Sequence, residues 1–170
     1  MYADDISNRI LAGDKQAREQ VIKEFGEEAF LNDAVNKKFL AGKVFSNPNE
    51  LKKLNSILHP KVIGEIDKII NDKYKNEKII FIETAIVYEA GIEEMFDYVI
   101  LIAADEKIRL ERILKGNKFT KEDFLKRDKV QLPDNKKIEK ADFVFFNNTN
   151  KEELFEKADL MLLTLKSLNQ

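Results

Sequence analysis

The amino-acid sequence predicts an α/β fold in which helices flank a parallel sheet. Three apolar runs, at 79–82, 98–102 and 143–146, have the length and the β-branched or aromatic composition of strands buried on both faces. Segments with apolar side chains at helical spacing lie before and between these runs. With 170 residues, 44% of them hydrophobic, the chain is long enough to form one domain with a substantial core.

Four helical segments precede the first strand run. Gly26 suits the position just after the second helix, and Pro48 suits the first turn of the fourth. Pro60 lies inside this fourth segment and removes a backbone donor, so we expect a bend or a break beside His59 and Pro60. The predicted ranges are 4–11, 14–25, 33–45 and 48–69.

Further helical segments alternate with the strand runs in the second half of the chain. Thr120 and Asp123 have the spacing of a capping box, which marks the start of a helix. Alternation of strands and helices favours a parallel sheet over an antiparallel one. The predicted ranges are 105–115, 120–130 and 150–168.

The composition excludes several kinds of site. The chain has no cysteine, so it has no disulfide, thiolate metal site or cysteine nucleophile, and its single histidine rules out a histidine-rich metal site. The longest apolar run, 98–104, is much shorter than the roughly 18–20 residues that span a bilayer, and the first residues lack the features of a signal peptide. These observations predict a soluble, cytoplasmic chain.

The six glycines are too far apart for a glycine-rich phosphate loop. Gly13 and Gly26 form the closest pair, 13 positions apart (26 − 13). The motifs G-x-G-x-x-G and G-x-x-x-x-G-K-[ST] both need glycines within about six positions. Neither motif therefore occurs in these 170 residues.

The charge is unevenly distributed. The net charge of −2 argues against general nucleic-acid binding. Between Lys107 and Lys140, however, twelve basic residues stand against six acidic ones. Such a segment is either a solvated, lysine-rich face or a segment that closes over a polyanion.

Polar residues follow the three strand runs, where a parallel sheet binds its ligands. The loop after the first run contains Glu83 and Glu89, and the loop after the third contains Asn147 and Asn148. On their own these loops are weak indicators, because polar strand ends are common in this architecture.

Several short motifs add a more specific indication. In chain order they are Ala3-Asp4, Phe45-Ser46-Asn47-Pro48, Leu54-Asn55, Leu58-His59-Pro60-x-Val62, Glu89-Ala90-Gly91, Arg112 in a basic helix, Gln131-x-Pro133, Ala141-Asp142 and Asn147-Asn148. Together they resemble the dephospho-coenzyme A kinase family, and the resemblance covers essentially the whole chain. The segments Asn-x-x-Leu-His-Pro and Glu-Ala-Gly are the most specific.

The resemblance implies a P-loop nucleotide-kinase fold and a reaction. The family uses ATP, with Mg²⁺, to phosphorylate the ribose 3′-hydroxyl of dephospho-coenzyme A, its small-molecule substrate, in coenzyme A synthesis. The expected organisation is a single domain, 1–170, with a helical substrate-binding region at about 4–75 and a lid-like cationic segment at about 107–140. The α/β core would then comprise 79–106 and 141–170. Neither a nucleic acid nor a membrane is an expected partner.

The resemblance also implies roles for individual residues. Asp4 matches the general base that accepts the proton of the 3′-hydroxyl. Substrate-binding roles fall on Arg9, His59, Glu83 and Glu89. Lid and phosphate roles fall on Arg109, Arg112 and Lys115, which recur every third position. Asn147 and Asn148 match the nucleotide-base loop, and no residue is assigned to a metal.

Plainer interpretations of the same residues stay open. Asp4 suits the N-cap of a helix, and His59 suits a packed, hydrogen-bonded position. The two glutamates suit ordinary strand ends, and Asn147 and Asn148 suit a turn.

The chain also departs from the family pattern. The family has a buried strand, a P-loop, a helix and a second strand before the residues that match Ala3-Asp4. Tyr2 replaces an aspartate, Asn8 replaces an arginine, and Gly116 stands where a second lid arginine is common, although Arg9 and Lys115 are nearby cations. Thr84-Ala85 replaces Val-Pro. We therefore expect poor phosphate transfer, or none, and doubtful ATP binding.

The missing first strand would lie in the middle of the family's sheet, beside the runs 79–82 and 98–102. Because an open slot would leave buried backbone groups unpaired, three outcomes are expected. The flanking runs pair directly, a second chain donates a strand, or the sequence is a shortened version of a longer product. Unpaired sheet edges would favour self-association. Alternative functions are a non-catalytic module that binds coenzyme A-type ligands, or a truncated inactive product.

Overall fold

Helices and short strands alternate along the chain, which divides into two units, Met1–Ile86 and Val87–Gln170. The computed structural model describes residues 1–116 and 119–168. Residues 117 and 118 of the predicted lid-like segment, and 169 and 170 of the predicted core, lie outside the described residues. The mixed α/β class, with a parallel sheet and flanking helices, is confirmed. The single domain and the missing strand and P-loop stay predictions.

Helices form most of the first unit. Asp14 caps the second helix by accepting a hydrogen bond from the backbone N–H of Ala17 at 2.7 Å, and Asn36 caps the third in the same way. Gly26 ends the second helix with a φ of 91°, as predicted, because only glycine adopts this conformation without strain. The helices are α1 (Ala3–Gly13), α2 (Lys15–Phe25), α3 (Lys37–Val44) and α4 (Pro48–Lys73).

A β-hairpin precedes α3, so the helix predicted at 33–45 begins only at Lys37. The strands β1 (Phe30–Leu31) and β2 (Ala34–Val35) are antiparallel. Asn32 and Asp33 between them both have positive φ, at 47° and 65°. Two left-handed residues make the tight turn that matches the twist of a hairpin, and asparagine and aspartate tolerate it best after glycine.

The helix α4 runs without interruption through Pro60, so a break at this position is wrong, whereas the alternative expectation of a bend stays a prediction. Pro60 is exposed, whereas Leu58 and Ile66 on either side of it are buried. Burial of this apolar face stabilises the helix enough to offset the loss of one backbone hydrogen bond. The unit's core comprises side chains from all four helices, among them Ile6, Ile10, Ala17, Val21, Phe25, Leu40, Val44, Leu58 and Ile66.

The run 79–82 forms no strand of its own, which corrects the prediction. Its end pairs with the first residues of the chain: Met1 N donates to Phe81 O, Glu83 N donates to Met1 O, and Ala3 N donates to Glu83 O, at 2.6–2.9 Å. This is the bonding pattern of a parallel ladder, reduced to one bridge between Tyr2 and Glu83. Residues 79–82 take part in no other ladder within the described ranges.

The second unit contains the parallel sheet. The strands β3 (Ile100–Ala103) and β4 (Phe143–Phe146) pair in register from Ile100 opposite Phe143 to Ala103 opposite Phe146. The predicted strand at 143–146 is confirmed, and the one predicted at 98–102 is shifted by two residues at its start.

The helices of the second unit match the predictions closely. The Thr120 and Asp123 capping box is present, with both reciprocal hydrogen bonds. Two helices were not predicted. The helix at 87–90 is a single turn inside the predicted loop after the run 79–82, and the helix at 134–140 is short and polar. The helices are α5 (Val87–Ala90), α6 (Glu106–Lys115), α7 (Lys121–Val130), α8 (Asp134–Lys140) and α9 (Lys151–Leu168). No helix in the described part of the chain has the length and apolar character needed to cross a membrane.

Candidate functional site

Asp4 lies in the first turn of α1 with its side chain exposed. The N-cap of this helix is Tyr2, which makes no side-chain capping bond, so the interpretation of Asp4 as an N-cap is wrong. The hydrogen bond from Ala3 N to Glu83 O, at 2.9 Å, fixes the start of α1 beside the backbone of Glu83. The structure thus brings the segments that carry Asp4 and Glu83 together at the start of α1.

Arg9 is exposed further along α1, and His59 is half-buried in α4. The Nε2 atom of His59 is buried and has no hydrogen-bond partner among the described residues. Burial lowers the pKa of His59, because the imidazolium loses hydration. The hydrogen-bonded alternative has no support at Nε2, and contact of His59 with substrate stays a prediction.

Glu89 lies in α5, and its side chain contacts α8 and the residues just before that helix. Its Oε1 atom accepts a hydrogen bond from the backbone N–H of Leu132 at 2.8 Å and lies 3.1 Å from Nζ of Lys137. Lys137 is 7% exposed and is the buried charged residue of the described chain. The other carboxylate oxygen, Oε2, is buried without a hydrogen-bond partner among the described residues, so the contacts with Leu132 and Lys137 satisfy only Oε1. Contact of Glu89 with substrate stays a prediction.

A second ion pair, between Lys140 and Glu93, also joins α8 to the segment after α5. Lys140 Nζ lies 3.1 Å from Oε1 of Glu93 and 5.2 Å from the centre of the Tyr88 ring. The hydroxyl group of Tyr88 is buried without a partner in the described ranges. Burial, followed by the nearby Asp142 and Glu93 carboxylates, raises the pKa of Tyr88. Sequence analysis missed Tyr88, Glu93 and Lys140, although the first two flank the Glu89-Ala90-Gly91 motif.

Arg109 joins several elements of the second unit. Its Nη1 donates to Oδ1 of Asp128 at 2.7 Å, its Nη2 donates to Oδ2 of Asp134 at 3.0 Å, and its Nε donates to Ala104 O at 3.1 Å. The guanidinium also lies 5.5 Å from the ring centre of Phe124. All three nitrogens of this side chain have protein partners, which connect α6 to the end of α7 and the start of α8.

Arg112 contacts the predicted nucleotide-base loop. It donates to the carbonyl oxygens of Asn147, at 2.7 Å, and Thr149, at 3.1 Å. Asn148 accepts a hydrogen bond from the backbone N–H of Asp105 at 2.9 Å. The structure therefore brings Arg112, Asn147 and Asn148 together, whereas Lys115 is exposed at the end of α6.

Residues 1–116 and 119–168 contain no group of three or more His, Asp or Glu side chains arranged to hold a metal ion. A surface groove in the first unit, between α2 and α4, contains none of the predicted site residues; it is lined by Gln20, Lys23, Glu24, Lys53, Ser56 and Ile57.

Comparison with known proteins decides the family. The family model described as dephospho-CoA kinase matches residues 1–153. The chain belongs to the dephospho-CoA kinase family. A dephospho-CoA kinase from Fusobacterium nucleatum is 35% identical over 164 residues, which are 96% of this chain and 81% of the relative. One from Chlamydia pneumoniae is 34% identical over 170 residues, covering 96% of this chain and 82% of the relative.

Solved structures agree with this membership. A crystal structure of a Thermus thermophilus protein is 25% identical to this chain, with a TM-score of 0.78. The match covers 97% of this chain and 83% of the Thermus chain. The structure of a dephospho-CoA kinase from Campylobacter jejuni is 25% identical to this chain, with a TM-score of 0.67. The match covers 100% of this chain and 86% of the Campylobacter chain. By family the chain is a kinase, a class of transferase, and ATP is its expected co-substrate. The roles of the individual site residues of this dephospho-CoA kinase family member stay predictions.

Proposed function

We propose that this chain acts on dephospho-coenzyme A in the cytoplasm, in the reaction of its family: transfer of the γ-phosphoryl group of ATP to the ribose 3′-hydroxyl. The observation that carries the proposal is the placement of Asp4. Its carboxylate is exposed at the start of α1, and the backbone bridge between Tyr2 and Glu83 fixes the position of that helix start.

Asp4 would act as the general base. As the 3′-oxygen forms its bond to the γ-phosphorus, the bond from that phosphorus to the bridging oxygen breaks, and ADP leaves with the electron pair. The proton of the hydroxyl passes to the Asp4 carboxylate. A base of this kind typically contributes about 10²–10⁴-fold to the rate.

Three side chains are the proposed contacts for the acceptor substrate. Arg9 offers an exposed cation in α1, and substrate binding would have to uncover the buried, unsatisfied nitrogen of His59 in α4. Glu83 is exposed beside the start of α1 and could accept hydrogen bonds from ribose hydroxyls. These groups would hold dephospho-coenzyme A by hydrogen bonds and by one favourable charge against its phosphates.

The proposed contacts for ATP are in the loop after β4 and at the end of α6. Asn147 and Asn148 would contact the nucleotide base, while Lys115 would meet phosphate oxygens at the exposed end of α6. Arg109 is already satisfied by Asp128 and Asp134, so phosphate would have to displace these carboxylates to reach it. Because the 170 residues contain no glycine-rich phosphate loop, we propose that on their own they bind ATP weakly and transfer phosphate slowly.

The experiment compares the wild-type chain with Asp4→Asn and Asp5→Asn. Asp5 is a matched control, because it is an exposed aspartate in the same turn of α1. The readout is formation of coenzyme A from dephospho-coenzyme A and Mg-ATP. We expect slow formation that falls at least 100-fold in Asp4→Asn and persists in Asp5→Asn. Equal rates in the wild type and Asp4→Asn would exclude Asp4 as the base.

A second candidate is a module that binds coenzyme A-type ligands without phosphate transfer. The orphaned Nε2 of His59 favours ligand binding, and the absent motif removes the usual phosphate contacts. Binding of dephospho-coenzyme A without any product would favour this candidate. Ile102 and Phe146, on the two strands of the sheet, are each about half exposed, at 51% and 48%, so an inactive form would self-associate through this sheet.

A further inference from the structure

Two interactions tie α6 to the loop after β4. Arg112 donates from Nη1 to the carbonyl oxygen of Asn147 at 2.7 Å and from Nη2 to that of Thr149 at 3.1 Å. At the start of the same helix, the backbone N–H of Asp105 donates to Oδ1 of Asn148 at 2.9 Å. Three consecutive loop residues are therefore each held from the α6 side.

The loop is also fixed at both of its ends. Asn147 N donates to Ala103 O at 2.7 Å, which extends the β3 and β4 ladder by one bond. Asn150 accepts a hydrogen bond from Glu153 N at 2.9 Å and so caps α9. With these bonds the segment 147–150 has little backbone freedom, and a ligand that binds it loses little conformational entropy.

We propose that Arg112 is a positioning residue for the nucleotide base and that it does not bind phosphate. This inference rests on the proposed function, which assigns the base to Asn147 and Asn148. The Arg112 guanidinium spans two backbone carbonyls, and a phosphate would have to compete with both. The bond from Asp105 fixes the carboxamide plane of Asn148 and leaves its amide N–H groups for ring nitrogens of a purine.

The fork of the guanidinium makes Arg112→Lys the informative variant. Lysine keeps the positive charge, but its ammonium is a point charge that cannot span two carbonyls in a fixed plane. Lys107→Gln is the matched control, because Lys107 is exposed on the same helix and no binding role is proposed for it. If Arg112 binds phosphate, the lysine variant keeps the positive charge and should keep most of the phosphate binding. If Arg112 positions the loop, loss of the planar guanidinium should loosen the loop even though the charge is kept.

The experiment measures amide hydrogen exchange at 147–150 and NMR shifts on titration with two separate probes, adenosine and inorganic tripolyphosphate. We expect Arg112→Lys to accelerate exchange of the Asn147 amide, which donates to Ala103 O, about tenfold, the change that corresponds to loss of one charge-assisted hydrogen bond. Adenosine shifts in this loop should weaken by a similar factor, whereas the response to tripolyphosphate should stay as in the wild type. Lys107→Gln should change neither the exchange nor the adenosine shifts.

Two results would overturn the inference. In one, exchange of the Asn147 amide is unchanged in Arg112→Lys. In the other, the variant keeps its adenosine shifts and loses its tripolyphosphate response. If the wild type shows no adenosine shift at 147–150, the assignment of the base fails by itself, and faster exchange in Arg112→Lys would still support the positioning of the loop.

Discussion

The carboxylate of Asp14 and the ammonium group of Lys61 lie 3.1 Å apart and join the start of α2 to the middle of α4. Asp14 also caps α2 through the N–H of Ala17. We expect Asp14→Ala, which removes both interactions, to lower the free energy of unfolding by about 1–2 kcal/mol. Asp14→Asn keeps the cap and should cost less than about 1 kcal/mol. Urea denaturation at pH 7 measures both; equal losses would mean that the ion pair dominates.

The same aspartate gives stability a dependence on acidic pH. The bond from Ala17 N–H, followed by the contact with Lys61, lowers the pKa of Asp14. Its stabilisation is therefore complete above the unfolded pKa of about 3.9 and is lost as the pH falls through the lower folded value. The difference in stability between the wild type and Asp14→Asn should shrink below about pH 4. A difference that is constant from pH 7 to pH 3 would contradict this assignment.

His59 should affect stability in a separate pH range. Burial lowers its pKa, so the unfolded chain takes up a proton below about pH 6.5 while the folded chain does not. Stability is fully present above this pH and falls as the pH drops toward the folded value, by less than about 1.4 kcal/mol per pH unit. His59→Gln should flatten the curve of unfolding free energy between pH 7 and pH 5.5. A wild-type curve that is already flat in this range would show that His59 is accessible to solvent.

Glu89 and Lys137 should behave as a mutually dependent pair. Glu89→Gln leaves the buried Lys137 ammonium without its counter-charge, and we expect a loss of about 3 kcal/mol. Replacing both residues, as Glu89→Gln with Lys137→Met, should recover part of this loss, because methionine fills similar space without a charge. Denaturant unfolding of the two single variants and the double variant gives the interaction free energy between the two side chains. Additive losses would show that the two side chains act independently.

Arg109 provides a test of the region around α7 and α8. We expect Arg109→Lys to lower the free energy of unfolding by about 2 kcal/mol, because the ammonium cannot hold Asp128, Asp134 and Ala104 O together. Lys107→Gln, at an exposed site on the same helix, should be neutral within about 0.5 kcal/mol. Thermal unfolding together with amide exchange in α7 and α8 distinguishes the two variants. Unchanged amide exchange in Arg109→Lys would show that Arg109 does not hold α7 and α8 in place.

Local chemistry predicted a large part of the fold. The glycine after α2, the capping box at Thr120 and the apolar strand at 143–146 are signals that act within a few residues, and all three are confirmed. The hairpin at 30–35 was missed because its turn uses Asn32 and Asp33 in left-handed conformations, which these residues adopt only in a suitable context. The continuity of α4 at Pro60 depends on packing, which no local pattern contains.

The candidate site could be predicted only as a set of residues. The family motifs identified Arg112, Asn147 and Asn148, but nothing in the sequence indicates that Arg112 bonds to backbone carbonyls 35 and 37 positions away. Lys137 was missed for the same reason, because its partner Glu89 is distant in the chain. Side-chain pairing over such separations follows from tertiary packing, which spacing does not encode.

Calorimetric titration of dephospho-coenzyme A into the wild-type chain measures substrate binding itself. We expect saturable binding of one molecule per chain with a dissociation constant below about 1 mM, the upper end of the usual range for enzyme substrates. Absence of saturable heat at several times that concentration, in a chain shown to be folded by circular dichroism, would contradict it.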